Sequence, residues 1–85
     1  RLQSEGRYNE AIAAYRESLR NGMGAGDAYL GIAQSYQRLG ESGSARDAYG
    51  EAIRAYEGQI SAGRSAGVAR QGIAACRAAL DVLGG

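Results

Sequence analysis

Few side chains in this sequence are of the types that do chemistry, and their spacing decides what each can contribute. Five carboxylates, Glu10, Glu17, Asp47, Glu51 and Glu57, are the candidates for an acid–base pair. They alternate with arginine, and Glu51–Arg54 and Arg77–Asp81 have the spacing of side-chain pairs on a helix surface. That pattern favours solvated ion pairing over catalysis. Cys76 falls on an apolar helical stripe, and no histidine exists to take its proton, so it reads as a small buried hydrophobe. Gly22-Met23-Gly24-Ala25-Gly26 has the composition of a phosphate-cradling loop. Such a loop follows a strand and has different glycine spacing, whereas this stretch follows a helical one and reads as a turn between units.

The composition narrows the chemistry further. The 85 residues contain no His, Lys, Pro, Trp, Phe or Thr, and six Tyr are the only aromatics. The usual general base, the Schiff-base amine and the commonest metal ligand are therefore missing. A single cysteine closes no disulfide within the chain and builds no cysteine-based zinc site. The expectation is a non-enzymatic chain without a cofactor or metal. Arginine alone supplies the positive charge, ten residues spread evenly against nine acids, for a net charge of +1. No basic stripe for nucleic acid is visible, and no segment has the length and apolarity of a membrane span. The expected chain is soluble, cytoplasmic or periplasmic, and its arginine, alanine and glycine bias suits a GC-rich bacterial genome.

Something must position a core, and large apolar residues are scarce. Leu, Ile and Val number 13 while Ala and Gly number 31. A shift of 34 residues supplies the organisation. It aligns Gly6 with Gly40, Ala11 with Ala45, Tyr15 with Tyr49 and Leu19 with Ile53. The complete unit, residues 26–59, carries Tyr29, Ile32, Ala33, Tyr36 and Leu39 at helical intervals, then Gly40, then Ala45, Ala48, Tyr49, Ala52, Ile53 and Tyr56 at helical intervals again. Each set forms one apolar face. Gly40 is placed to end the first helix in the left-handed conformation, and Ser44 with Asp47 has capping-box spacing for the second. Small residues at Ala33 and Ala45 let the two helices approach, and tyrosines fill what remains.

This pattern resembles the tetratricopeptide repeat, whose signature is W-x2-L-G-x2-Y, then A-x3-F, then P, at a period of 34. Tyr29 stands for the Trp, Ile32 for the Leu, Ala33 for the Gly and Tyr49 for the Phe. Glu57, and Met23 in the first unit, stand where the Pro is expected, so the second helix is free to run on. The resemblance implies an all-α fold, a right-handed superhelical stack of antiparallel helix pairs, with about two repeats plus a C-terminal capping helix.

The ends depart from the pattern. Residues 1–25 form a partial first repeat in which Arg1–Glu5 is the last turn of a helix ending at Gly6, which predicts a fragment of a longer array. Residues 60–85 are a helix extension and a cap. Gly31-Ile32-Ala33 recurs as Gly72-Ile73-Ala74, and Leu39 as Leu80, at a shift of 41. Seven extra residues are about two helical turns. The second helix is therefore expected to reach Ser61, followed by a turn through Gly63 and Ser65 and a helix over Ala66–Leu83. The apolar face of that helix is Ala69, Ile73, Cys76, Leu80 and Leu83, with Arg77 replacing a tyrosine.

The resemblance implies a protein-interaction or scaffold module that holds a partner peptide or helix in a concave groove. The groove positions are Asp27, Leu30, Gln34, Gln37 and Arg38, continued by Gln71, Ala75 and Ala78 on the final helix. Leu30 and Gln34 occupy places where some members carry a Lys and Asn carboxylate clamp, so that clamp is not expected. The alternatives are a homo-oligomerisation segment that dimerises through an uncovered face of Tyr8, Ile12 and Tyr15, or a noncatalytic arm of a larger enzyme or envelope assembly.

Overall fold

A computed structural model describes residues 2–22 and 24–84, and for residues 2–5 the backbone alone. Four helices account for almost all of them: α1 (Leu2–Arg20), α2 (Ala25–Arg38), α3 (Ser42–Ser61) and α4 (Ala66–Val82). No strand occurs among the described residues. The fold is an all-α helical repeat. Its Cα extents of 42 × 31 × 16 Å make a slab whose thin dimension accommodates two helix layers at the roughly 8–10 Å spacing of packed helices.

Helices α2 and α3 share the largest interface, and side-chain register fixes their direction. Tyr56 near the end of α3 meets Asp27 at the start of α2, while Tyr49 further back meets Gln37 further on. The helices are therefore antiparallel, as a three-residue connection requires. That connection is made by Gly40 at φ 80°. Its N–H donates to the Gln37 carbonyl and the Glu41 N–H to that of Tyr36, at 3.1 and 3.0 Å, which closes the orphan carbonyls of α2. Ala33 and Ala45 are completely buried, as close helix approach demands.

The core holds Ile12, Ile32, Tyr49, Tyr56, Ile73 and Cys76 among its members, cemented by alanines. Tyr56, 2% exposed, joins three helices. A Cβ on Gly26 of α2 would stand 2.5 Å from Tyr56 Cδ1 and Cε1, and one on Gly72 of α4 would stand 2.9 Å from Cε1 and nearer still to other ring atoms. The ring thus fits only because both flanking residues lack side chains. Tyr15 of α1 lies against Gly31 of α2 in the same manner.

The turn through Gly63 and Ser65, the extension of α3 to Ser61 past Glu57, and α4 starting at Ala66 all follow the expected spacing. Ala69, Ile73 and Cys76 are buried, Leu80 and Leu83 half-buried, and Arg77 is exposed. Other expectations are corrected. Gly6 does not stop a helix: α1 runs through it to Arg20, and the left-handed glycine beyond its end is Gly22, φ 75°. Isolated glycine inside a helix costs only about 1 kcal/mol against alanine, so it lowers helix stability without ending the helix. Ser44 is not a cap, because α3 starts at Ser42 with Glu41 at its N-cap and no side-chain cap bond. Gly40 turns the chain so tightly that the next helix begins before Ser44 is reached. Gly26 belongs to α2 and not to the turn. The Met23 substitution lies outside the described residues.

The first-repeat face is not open either. Ile12 is 4% exposed and Tyr8 half-buried, and only Tyr15, at 38% exposure, keeps a substantial free edge, because α2 packs on α1. Of the two surface ion pairs expected, Glu51–Arg54 forms at 2.9 Å, and a pair that was not expected, Glu17–Arg20, stands at 3.4 Å. Arg77–Asp81 is not among the pairs of the described residues. Both formed pairs place the acid N-terminal to the base, which is the better order on a helix, and Arg77–Asp81 reverses it.

Glycine therefore has opposite meanings at two positions. Gly50→Ala, where a Cβ meets nothing within 4 Å, is expected to stabilise by about 0.5–1 kcal/mol through the helix preference of alanine. Gly26→Ala is expected to destabilise by about 1–3 kcal/mol, since Tyr56 is held on its other side by Gly72 and has nowhere to move. Urea unfolding followed by circular dichroism reads both, and shifts of the same sign would contradict the packing described.

Candidate protein-binding face

Helix α2 buries Gly26, Ala28, Gly31, Ile32, Ala33 and Ser35 against its neighbours. The opposite strip carries Asp27, Leu30, Gln34, Gln37 and Arg38, of which Asp27, Gln34 and Arg38 are exposed and Leu30 and Gln37 half-buried. On α4, Gln71, Ala75 and Ala78 are exposed and repeat the spacing of Leu30, Gln34 and Gln37. Gln34, Gln37 and Arg38 come together with Tyr49 around one depression of about 470 Å³. Asp27 instead lines a separate one of about 210 Å³ with Tyr15, Ser18, Gly24 and Ala28. Gln71, Ala75 and Ala78 line neither.

Two of these side chains are held from beneath. The Tyr49 hydroxyl donates to Gln37 Oε1 at 2.6 Å, and the Tyr56 hydroxyl donates to Asp27 Oδ1 at 2.5 Å. Both phenols hold their protons beyond the ordinary value of 10.0. Burial raises Tyr49, with a smaller contribution from nearby Cys76. Burial also raises Tyr56, aided by its hydrogen bond to Asp27 and by the carboxylate charge. Each remains a donor at neutral pH. Elsewhere, Arg16 donates to the Tyr36 hydroxyl at 2.6 Å, and Arg16 and Tyr36 both line a crevice of about 410 Å³ between α1 and α3.

Three further residues support or extend this face without being marked by the sequence pattern. Helical spacing places Tyr49 and Tyr56 in the core, and that spacing says nothing about where a hydroxyl ends. Val68, 56% exposed, lies on the face of α4 that carries Gln71 and Ala75. Extending the shift of 41 from Gly31 back to Asp27 would have found it.

A family model described as tetratricopeptide repeat matches residues 2–21 and 26–59, well over half of the chain. The chain belongs to the tetratricopeptide repeat family. No curated protein and no solved structure matches it. Tetratricopeptide repeats generally mediate protein–protein interaction and are typically noncatalytic. The matched segments cover α1 and nearly all of α2 and α3. In this tetratricopeptide repeat chain, no described helix is long and apolar enough to cross a membrane.

The buried phenols and thiol give the fold an alkaline limit. Cys76 is raised from its ordinary 9.0 by burial, as Tyr49 and Tyr56 are from 10.0. A group whose folded value is raised contributes stability that is whole below its unfolded value and is lost as pH climbs toward the folded one. The urea midpoint is expected to hold near pH 8 and to fall between about pH 9 and pH 11. A flat profile across that window would remove the buried donors from the account.

Proposed function

We propose that the chain is a protein-interaction module that holds a peptide or helix of a partner protein along α2 and α4. The contacting residues are Asp27, Leu30, Gln34, Gln37, Arg38, Gln71, Ala75 and Ala78. Within it, residues 1–25 act as a partial repeat, 26–59 as a complete one, and 60–85 as an extension and cap. The observation that carries the reading is the division of α2. One side is consumed by packing against α1, α3 and α4. The other presents amide, charged and apolar groups at helical spacing, a mixture suited to the main chain and side chains of a bound polypeptide.

The triple variant Gln34→Ala, Arg38→Ala, Gln71→Ala removes polar contacts without touching the core, so its far-UV circular dichroism is expected to match the parent. Capture of partner proteins from the native organism is expected to weaken at least about tenfold, equivalent to about 1.4 kcal/mol. Capture at parental strength with helicity intact removes this face from the binding role.

A further inference from the structure

The two ends of the α2 strip differ in chemistry. Asp27 stands in its first turn and Arg38 in its last, separated by about 16 Å at 1.5 Å per residue. At the Arg38 end, the depression lined by Gln34, Gln37, Arg38 and Tyr49 is biased toward donors. The Tyr49 hydroxyl takes Gln37 Oε1, so the unoccupied end of that amide is Nε2 with its two N–H groups. Tyr49 is buried and its hydroxyl is anchored there. Arg38 adds five N–H donors and no acceptor, and it makes no ion pair with another described residue. Carbonyls at a helix C-terminus ordinarily repel an anion. Here those of Tyr36 and Gln37 already accept the N–H groups of Glu41 and Gly40.

We infer that this depression is a carboxylate site and that it receives an acidic side chain of the peptide held along α2. The inference rests on the proposed role of that face in binding a partner. Charge complementarity selects the occupant: an anion meets Arg38 and an oriented amide at this end, and meets the like charge of Asp27 at the other. A chain laid along α2 from Asp27 passes over the depression, so the carboxylate arrives on a side chain. Gln37 is a direct contact. Tyr49 is a positioning residue that keeps the nitrogen of the Gln37 amide facing outward.

The whole chain, labelled with nitrogen-15, is titrated with a capped pentapeptide that has a central glutamate between glycines, and with its glutamine twin. The glutamate peptide is expected to bind roughly three- to fivefold tighter at low salt, as suits an exposed pair worth about 1 kcal/mol, and to shift the side-chain amide signals of Gln37. Added salt shrinks the preference, and Arg38→Gln abolishes it. Tyr49→Phe keeps the ring but releases the amide, so the Gln37 side-chain shifts are expected to collapse while those of the Arg38 backbone persist. Equal affinity for the twins, or a preference that survives Arg38→Gln, overturns the site. A third peptide, the glutamine twin with a free C-terminal carboxylate, overturns the side-chain assignment if it equals the glutamate peptide. Partner capture that fails in the triple variant without any glutamate preference removes the carboxylate site and leaves the binding face.

Discussion

The stack depends on one close contact, the ring of Tyr56 held between Gly26 and Gly72. Burying an aromatic side chain of this size stabilises by roughly 4–6 kcal/mol as an upper figure for area removed from water. Few other residues here can supply as much, because alanine is the commonest residue of the core. A core of alanine has little apolar surface per residue and gains stability only if helices lie close together. Tyr56 needs the same closeness, since a single methyl on either neighbour would occupy its place. The scarcity of large side chains and the excess of glycine are therefore two aspects of one packing solution.

That solution is used twice. Tyr15 against Gly31 and Tyr56 against Gly72 are both separated from each other by 41 residues, and each joins a helix to the one that follows it. The tyrosine equivalent to Tyr15 in packing is thus Tyr56, although the period of 34 pairs Tyr15 with Tyr49. The seven added residues of α3 explain both pairings. Tyr49 keeps the family position inside the α2–α3 hairpin, and two turns later Tyr56 repeats the contact made by Tyr15 with the next helix. The repeated glycines were visible as a shift of 41, but their partner rings were not, because spacing along a chain does not say which faces meet across helices.

What the sequence made legible was what periodicity and turn chemistry control. The long α3, the Gly63–Ser65 turn, the start of α4 and the left-handed Gly40 are local consequences of residue type, and the spacing carried them. Gly6 and Ser44 depart from what their residue types suggest because a residue suited to a stop or a cap performs that role only when the chain is already turning there. In α1 the helical bonds continue past Gly6, and at α3 the tight Gly40 turn sets the start two residues before Ser44. The strip of α2 opposite its packed side was legible only through the family resemblance. The underpinning of that strip was not, since Tyr49–Gln37 and Tyr56–Asp27 join residues 12 and 29 apart in sequence.

Those two hydrogen bonds link core and surface. A glutamine on a solvated helix would sample both amide orientations and an aspartate would turn freely, so neither would present a fixed polarity to a partner. Here each is tied to a phenol whose ring is clamped within the alanine-rich core, and the phenol holds its proton because burial penalises the charged form. The orientation of the surface groups is therefore set by packing that solvent and salt do not reach. Side chains already ordered in this way lose less entropy when a partner binds. Tyrosine is suited to this position: phenylalanine would fill the space between the helices without reaching the surface, while a longer polar residue would reach it without filling the space.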